Sequence, residues 1–422
     1  MKKNSTTQPT RGQFSLLRQI CNFIPAHLVA KLAREKGVEA KARTFTPWSH
    51  VVALLYAQLT HALSLNDVCD GLQLNRGALA GVRGATAPCK NTFSHANKGR
   101  DAGMAEALFW KVLEHLGALS PNFYGHKAQG GGKLAWRFRR TIQIVDATVI
   151  QLVANCLDWA KHRRRKAAAK CHLRLDLQSM LPRFAIIDVA REHDITRAPE
   201  LCAGLRAGEI VIMDRGYVDF VHLALLDERG VFFVVRAKKN LAYEVKSTRS
   251  APKGSILADE EIELSDPATR QHAPKRLRRV VALVEVDGKE MEMVFLTNNL
   301  TWAASSVADL YRCRWQIEVF FKQIKQTLQV GDFLGHNANA VRWQLWTALL
   351  SYVLLRYAGF ISRWAHGFSR LWAVLRSALW QRRNLRVLLE SYGTASGSFR
   401  CLAQPEQAYF PAFRRAPVGQ HR

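Results

Sequence analysis

The sequence predicts an α/β fold in which a strand-rich centre lies between two helical regions. Three observations lead to this prediction. Apolar residues recur at steps of three and four over residues 14–119, as they do in helices packed on a core. Between residues 141 and 235, β-branched runs come first and strand and helix patterns then alternate, which favours a sheet covered on both faces. Residues 335–392 are helical in pattern again.

Size and charge limit the classes of function. The chain has 422 residues, of which 48% are hydrophobic, so we expect several domains with real cores. The formal net charge of +27 implies an anionic partner, either nucleic acid or a membrane surface. The basic excess runs through regions that otherwise look globular, which favours nucleic acid. The most apolar stretch, residues 345–361, contains Arg356 and is interpreted as a buried helix, so we expect no membrane partner.

The eight cysteines are scattered along the chain and form no CxxC pair. This spacing argues against a zinc site or a disulfide framework and indicates reduced thiols in a cytoplasmic protein. No apolar core follows the first lysines, so no signal peptide is predicted.

The first helical region is interpreted as a DNA-binding domain. Residues 1–12 are polar and are predicted to be a disordered tail, and residues 13–128 form the domain itself. Residues 64–82 indicate two short helices with a break between them and a Ser-x-x-Asp cap at the start of the first. This pattern fits a helix-turn-helix that presents Arg76 and Arg83 to DNA, and it equally fits an ordinary helical hairpin.

The rest of the chain divides at turn-rich stretches, beginning with a predicted linker at residues 129–132 (QGGG). Four segments follow: the first part of the α/β core, a mainly β insertion, a helix that returns to the core, and a helical C-terminal region for DNA contact or dimerisation, at residues 133–240, 241–300, 301–334 and 335–422. Within the first part, strands are predicted at 141–152, 173–177, 184–189, 209–213 and 231–235, and helices at 199–206 and 220–227. The returning helix is predicted over 305–328, with a cap made by Ser306 and Asp309.

Two aspartates stand in or directly after apolar strands. Asp146 lies within IVDATV, and Asp214 follows EIVIM. A carboxylate in such a position is costly unless a metal cation or hydrogen bonds compensate its charge. Each aspartate on its own fits both readings. Asp188, in AIIDVA, has the same local pattern and is not assigned to a site.

A charged stripe on the returning helix is the third element. Tyr311, Arg314, Glu318 and Lys325 are spaced three, four and seven residues apart. At about 100° per residue they share a stripe roughly 60° wide beside the apolar face of the helix. Glu318 is therefore placed at the edge of the core, where it either completes a site or forms an ordinary exposed pair with Arg314.

Three carboxylates together suit phosphodiester chemistry. Two divalent ions about 3.5–4 Å apart can activate a nucleophile and stabilise a leaving oxygen. Carboxylate oxygens are the ligands that Mg²⁺ and Mn²⁺ prefer. Arginine and lysine beside such ions can bind the phosphates that flank the bond to be cut.

These motifs together resemble the IS4-type transposases of the DDE group, which have an RNase H-like core. The signature is a Tyr, Arg, Glu and Lys separated by two, three and six residues, as in YRCRWQIEVFFKQIK from Tyr311 to Lys325. VDAT and MDRGY surround Asp146 and Asp214 in the order that the family shows. The resemblance covers residues 141–328, and SLNDVCDGL and FSHANKGR are similar to the N-terminal domain of one IS4 subgroup.

The resemblance implies a role for each motif residue. Asp146, Asp214 and Glu318 would be the catalytic residues and would hold two Mg²⁺ ions, for which Mn²⁺ can substitute. Tyr311, Arg314 and Lys325 would contact DNA phosphate near the cleaved end.

The resemblance also implies the reaction and the partners. The enzyme would bind the terminal inverted repeats of an insertion sequence in double-stranded DNA, nick the ends and form a hairpin intermediate. It would then join the freed 3′-OH to target DNA in a cut-and-paste route. Such enzymes act as homodimers that bridge two transposon ends.

Further DNA contacts are expected beside the carboxylates. Arg163, Arg164 and Arg165 lie in a basic run after the first strand, and Arg215 follows Asp214. Trp315 is expected either to stack on a base or to pack in the core. Tyr243 and Trp302 are candidates for holding a flipped base. A charge run can also be a solvated face without a partner.

Two other functions remain compatible with the residues. One is a relative that binds DNA as a repressor after losing catalysis, although the intact carboxylates argue against it. The other is a host nuclease with an RNase H-like core and no strand transfer, although the Tyr311-to-Lys325 signature argues against that.

Overall fold

A computed structural model describes residues 12–39, 42–125, 138–152, 161, 162, 166–189, 193–286, 289–327 and 334–392. Several predictions lie outside these ranges: the tail up to residue 11, the linker at 129–132, Arg163, Arg164 and Arg165, and the chain beyond residue 392.

The N-terminal region is helical, as predicted. Its described helices are α1 (Leu16–Cys21), α2 (Leu28–Glu35), α3 (Pro47–Thr60), α4 (Leu65–Leu74), α5 (Arg76–Ala80), α6 (Lys90–Gly99) and α7 (Gly103–Leu119). The predicted cap of α4 is confirmed, because the Ser64 side chain and the Asp67 side chain each accept a hydrogen bond from the other residue's backbone N–H. The predicted break is also present, at Asn75 between α4 and α5.

The helix-turn-helix prediction left the side chain of Arg83 free to contact DNA, but in the structure this side chain binds other parts of the protein. Its guanidinium lies 3.8 Å from the ring centroid of Trp48 and donates a hydrogen bond to the carbonyl of Cys21. These contacts join α1 to the start of α3. Arg76 is exposed at the start of α5, but α5 has only five residues. The prediction of Arg83 as a DNA contact was therefore wrong, and its contacts are structural.

The centre of the fold is one ten-stranded mixed sheet. Its strands are β1 (Ile142–Leu152), β2 (Lys161–His162), β3 (Lys166–Asp176), β4 (Leu181–Val189), β5 (Ile210–Met213), β6 (Phe232–Arg236), β7 (Tyr243–Thr248), β8 (Ile256–Leu264), β9 (Leu277–Val286) and β10 (Lys289–Thr297). The order is β2-β3-β1-β5-β6-β10-β9-β8-β7, and β4 also pairs with β3. Strands β1, β5 and β6 are parallel, and β3 runs antiparallel to β1.

Helices cover both faces of the parallel strands. On one face, α8 (Asp194–Cys202) and α9 (Phe220–Glu228) bury the side chains of Val145, Val211 and Met213.

Helix α8 begins five residues before its predicted start at Pro199, which lies inside the helix. Proline is common in the first turn of a helix, which is why the helix was predicted to start at Pro199. In the structure Pro199 lies in the second turn, where it lacks the N–H for one backbone hydrogen bond and its ring crowds the carbonyl four residues before it.

The predicted β insertion is β in structure and extends the central sheet. Strand β10 pairs antiparallel with β6, and β9, β8 and β7 follow in turn. A short helix, α10 (Pro267–Gln271), joins β8 to β9. The insertion therefore shares its hydrogen-bonded sheet with the core.

The segment that carries Glu318 is not the single long helix predicted over residues 305–328. It consists of α11 (Ala304–Arg312) and α12 (Trp315–Lys322), which meet at Cys313 and Arg314, followed by a π-helical turn over Gln323–Thr327. The predicted cap was also wrong, because the N-cap is Ala303 and Ser306 is buried inside α11.

The C-terminal region is helical and packs on the N-terminal helices. It contains α13 (Ala338–Ile361), α14 (Phe368–Ser377) and α15 (Leu385–Ser391). Helix α13 is buried along most of its length and contacts α3 and α7. In the part of the chain that the structure describes, no helix is long and apolar enough to cross a membrane. The predicted buried helix is confirmed.

Candidate active site

Strand pairing brings the two predicted aspartates together. In the parallel pair β1 and β5, Val145 is the partner of Met213. The next residues, Asp146 and Asp214, therefore lie side by side at the same level of the sheet. Neighbouring strands in a sheet lie about 4.8 Å apart. Asp146 continues within β1, whereas Asp214 ends β5 and precedes a 3₁₀ turn over Arg215–Tyr217.

The junction of α11 and α12 holds both aspartates and Glu318. The Tyr311 hydroxyl donates to Asp214 Oδ1 at 3.0 Å. Arg314 donates from Nη1 to Asp146 Oδ2 and from Nη2 to Glu318 Oε1, each at 2.6 Å. One guanidinium thus bridges a carboxylate of the sheet and a carboxylate of the helix.

Lys325, the last residue of the stripe, also contacts β1. Its Nζ donates to the carbonyl of Val149 at 2.7 Å, three residues along the strand from Asp146. Burial lowers the pKa of Lys325. The four residues of the predicted stripe therefore all contact β1, Asp214 or one another, and they do not form a separate solvated face.

The carboxylate of Asp146 lies in a strongly perturbing environment. Burial raises the pKa of Asp146 to about 6, the guanidinium of Arg314 opposes that rise, and the nearby charges of Asp214 and Glu318 add to it. The side chain is 18% exposed. A buried acid among other acids favours the binding of cations.

Arg314 and Tyr311 keep their protons in this environment. Burial alone lowers the pKa of Arg314, but Tyr311, Asp146, Asp214 and Glu318 more than offset that effect and the net change is a rise. Burial and the charge of Asp214 raise the pKa of Tyr311, so its hydroxyl remains a donor.

Carboxylate oxygens are the ligands that a hard divalent cation prefers. One cationic group, the guanidinium of Arg314, already lies between two of the carboxylates. Among the described residues, no group of three or more His, Cys, Asp or Glu side chains is arranged to hold a metal ion. The guanidinium of Arg314 stands between Asp146 and Glu318 and takes the place of a charge-compensating ion. Asp146 and Glu318 thus already share one cationic partner, and a divalent cation could bind the same oxygens when Arg314 leaves them.

Two further predicted DNA contacts flank the carboxylates. Trp315 directly follows Arg314 and is 57% exposed, so it is not the core residue of the alternative interpretation. Arg215 directly follows Asp214, is exposed, and forms no ion pair within the described ranges. Both side chains are accessible to a ligand at the site.

The two candidates for a flipped base are packed against protein. Trp302 lies with its ring centroid 5.2 Å from that of Phe232 and 5.9 Å from that of Phe138. The guanidinium of Arg279 lies 4.9 Å from the ring centroid of Tyr243. Each ring therefore has a structural role in this arrangement.

A second polar cluster behind the site was not predicted. Lys170 Nζ lies 2.7 Å from Asp194 Oδ1, and the fully buried ring of His172 lies 3.6 Å from the same oxygen. Burial lowers the pKa of His172 to about 4. His172 pairs with Ala147 across β3 and β1, so its side chain lies on the opposite face from Asp146. Sequence spacing gave no signal for this cluster, because its members come from β3 and α8. Asp188, which resembled a site residue, forms an ion pair with Arg197.

Two sequence families match the chain. Residues 137–354 match the family described as "Transposase DDE domain", which covers all the predicted site residues. Residues 13–82 match the family described as "Domain of unknown function (DUF4372)", which covers α1 to α5.

Several transposases are similar in sequence. The y4zB protein of Sinorhizobium fredii, named as a transposase, is 31% identical over 59% of this chain and 70% of its own length. The transposase of insertion sequence element IS5377 from Geobacillus stearothermophilus is 30% identical over 52% of this chain and 57% of its own length. The transposase of element IS4SA from Synechocystis is 24% identical over 65% of this chain and 73% of its own length.

Proposed function

The chain belongs to the DDE transposases of the IS4 family, and from that premise we propose that it cuts and joins DNA at Asp146, Asp214 and Glu318. The substrate is double-stranded DNA that carries the terminal inverted repeats of its insertion sequence. Water first cuts one strand at each end and frees a 3′-OH. This 3′-OH attacks the opposite strand and forms a hairpin, and the 3′-oxygen of the flanking DNA leaves. Water then reopens the hairpin, and the regenerated 3′-OH attacks the target DNA.

The convergence of three distant carboxylates carries this proposal. Asp146, Asp214 and Glu318 come from β1, the end of β5 and α12, yet Arg314 and Tyr311 connect all three. Arg314 binds two of the acids and Tyr311 binds the third, so three acids from separate elements gather in one place. Carboxylates gathered in this way can hold two metal ions for phosphoryl transfer.

The strand arrangement supports an RNase H-like core. Strands β4, β3 and β1 form an antiparallel succession, and β5 and β6 continue the sheet parallel to β1. In open α/β sheets, ligands bind beyond the carboxyl ends of the parallel strands. Asp214 occupies that position after β5.

Transposase DDE domains use divalent metal ions, and we propose two Mg²⁺ ions here, with Mn²⁺ as a substitute. When bound, the ions activate the attacking oxygen and stabilise the leaving oxygen. The chain's own residues do the rest. Tyr311 orients Asp214, and Arg314, Lys325 and Arg215 hold phosphates on either side of the reacting one.

The exposed indole of Trp315 is proposed to stack on a base beside the cut end. The enzyme is proposed to act as a homodimer, because a cut-and-paste route requires two ends to be held together. Arg163, Arg164 and Arg165 remain proposed contacts to the DNA backbone.

Excision from a plasmid tests the proposal. The plasmid carries the two ends of the element, and the wild type is compared in Mg²⁺ and in EDTA with Glu318→Gln. We expect metal-dependent excision by the wild type, and binding of the ends without cleavage by Glu318→Gln. Denaturing gels detect the hairpin, and pre-cut ends incubated with target DNA detect joining.

Asp309→Asn is the matched control. Asp309 lies in α11, close to Tyr311 in sequence, and its carboxylate pairs with Arg312 at 3.7 Å. This variant is expected to excise at the wild-type rate. Undiminished cleavage by Glu318→Gln contradicts the assignment of the site, and joining that fails while cleavage persists indicates a nuclease without strand transfer.

A further inference from the structure

The side chain of Arg314 has two sets of possible partners that exclude each other. In this arrangement both terminal nitrogens are bound, one to Asp146 and one to Glu318. The same nitrogens are the ones that bind a phosphate, because the planar fork of arginine fits carboxylate and phosphate equally well. Each terminal nitrogen keeps a second N–H, but Arg314 cannot offer its two-nitrogen fork to a DNA phosphate while that fork bridges the carboxylates.

Nothing else in the described part of the chain holds the guanidinium in place. Its Nε is buried without a hydrogen-bond partner there, and the side chain's polar contacts in that part of the chain are the two carboxylates. Its carbon Cζ lies 5.8 Å from the ring centroid of Tyr311, at the outer limit of a cation–π contact. Release of Arg314 thus requires the loss of only these two ion pairs.

Release of the side chain does not require the backbone to move. Arg314 lies at the junction of α11 and α12, where its N–H donates to the carbonyl of Tyr311 at 2.9 Å and its carbonyl accepts from the N–H of Ile317 at 3.0 Å. Its side chain is 19% exposed, so solvent reaches part of it.

We propose that Arg314 competes with divalent cations for Asp146 and Glu318, so that the site takes up its metal ions only when a DNA phosphate has bound the guanidinium. This inference rests on the proposed function, since it requires these carboxylates to be the metal ligands. DNA and metal ions then bind cooperatively, and the carboxylates of the DNA-free protein bind Arg314 in place of metal ions. By thermodynamic linkage, the factor by which DNA raises the affinity for metal equals the factor by which metal raises the affinity for DNA.

Binding of Mn²⁺ measures this competition without any need for catalysis. The free ion is followed by electron paramagnetic resonance, with and without a pre-cut end duplex whose 3′ terminus is dideoxy and cannot attack. In the wild type we expect the duplex to lower the Mn²⁺ dissociation constant by about tenfold, within the usual range of coupling between sites. In Arg314→Lys we expect tighter Mn²⁺ binding without DNA and little further effect of the duplex.

Arg314→Lys keeps the positive charge and removes the fork that bridges two carboxylates, so it separates competition from simple electrostatics. Arg312→Lys is the matched control, because Arg312 lies two residues away in α11, pairs with Asp309 at 3.7 Å and has no part in the proposed site. This variant is expected to keep the effect of the duplex. Should Arg314→Lys not fold, as judged by its melting curve, Arg314→Gln takes its place.

The outcomes distinguish this inference from the proposed function. Equal Mn²⁺ affinities of the wild type and Arg314→Lys without DNA overturn the inference alone. The same holds if Arg312→Lys reproduces the effect of Arg314→Lys. Mn²⁺ binding that persists unchanged in the double variant Asp146→Asn, Glu318→Gln places the ions elsewhere, and both proposals then fail.

Discussion

Tyr311 and Arg314 lie three residues apart and bind different aspartates. The hydroxyl of Tyr311 binds Asp214, and the guanidinium of Arg314 binds Asp146. Both contacts join the helical segment to two neighbouring strands, within β1 and directly after β5. The positions of the aspartates relative to Glu318 therefore depend on these two side chains as well as on the packing of α12.

The hydroxyl of Tyr311 is expected to contribute to catalysis. Tyr311→Phe removes a hydrogen bond to a charged carboxylate, which is worth about 1.5–3 kcal/mol. If that contact orients Asp214 in the transition state, the cleavage rate falls about tenfold or more. The rate is measured under single turnover with pre-bound ends.

Tyr217→Phe is the control for this prediction. The Tyr217 hydroxyl is buried near the same aspartates but has no hydrogen-bond partner in the described structure. Its removal is expected to leave the cleavage rate and the melting temperature close to wild type. A Tyr311→Phe rate equal to that of Tyr217→Phe contradicts the role of Tyr311.

The residues of the candidate site could be predicted from the sequence, but the contacts between them could not. Spacing placed Tyr311, Arg314 and Glu318 together because a helix has a fixed period. That Asp146 lies beside Asp214 depends on the pairing of β1 with β5, and local sequence contains no information about which strands are neighbours. Arg83 was wrongly predicted for a similar reason, because its partners lie in other helices.

At the scale of elements, the break between α11 and α12 was missed. The apolar period continues across Cys313 and Arg314, so sequence alone predicts one helix. The π-helical turn over Gln323–Thr327 was missed because a period of about 100° per residue does not describe it. Such turns are frequent at functional sites, and this one carries Lys325.

The β insertion is fixed to the segment before α11 by a buried arginine. Arg278 in β9 is 1% exposed and donates two hydrogen bonds to Asp259 in β8, at 2.7 and 2.8 Å. It also donates to the carbonyls of Asn299 and Trp302 at 3.2 and 2.7 Å. One side chain thus joins two strands to the loop that leads into α11.

Removal of this buried arginine is expected to destabilise the protein strongly. Arg278→Met removes the main partner of the buried Asp259 carboxylate and leaves it the Ser250 hydroxyl and Arg249 at 3.9 Å, which costs about 3 kcal/mol. The free energy of unfolding in urea measures the loss. Arg276→Met is the matched control, because Arg276 is two residues away and pairs with Glu261 at the surface. Its expected effect is about 0.5 kcal/mol or less, and similar losses in both variants argue against this account.

At the scale of the whole molecule, regions predicted as separate domains share cores. His50 in α3 donates from Nε2 to Asn97 Oδ1 in α6 at 2.8 Å, and its ring centroid lies 4.5 Å from that of Trp343 in α13. The N-terminal and C-terminal helices thus pack together, although more than two hundred residues separate them in sequence. Helical periodicity showed which faces are apolar, but it does not show which helices meet.

This shared core is expected to weaken in acid. Burial lowers the pKa of His50 to about 3, the hydrogen bond with Asn97 opposes that change, and the charge of Arg100 adds to it. The folded state therefore binds fewer protons than the unfolded state, whose histidine has a pKa of about 6.5. The stabilising effect is complete above pH 6.5 and is lost as the pH falls towards 3. At pH 5 the loss is about 2 kcal/mol.

His50→Gln is expected to reduce this dependence on pH. Glutamine keeps a hydrogen-bonding group towards Asn97 and cannot be protonated in this range. The melting temperature of the variant, measured from pH 7 to pH 5, is expected to fall less steeply than that of the wild type. His172 titrates in the same sense, so part of the slope remains. Identical slopes would show that His50 is accessible to protons in the folded protein.

The most direct test of the central claim is the single-turnover rate of end cleavage by Asp146→Asn, Glu318→Gln and the double variant. If the carboxylates act as one unit, each single variant loses activity on the order of a thousandfold, and the double variant is no slower than the slower single one. End binding, measured in parallel, is retained by all three. Partial losses that multiply in the double variant contradict a shared site, as does substantial cleavage by either single variant.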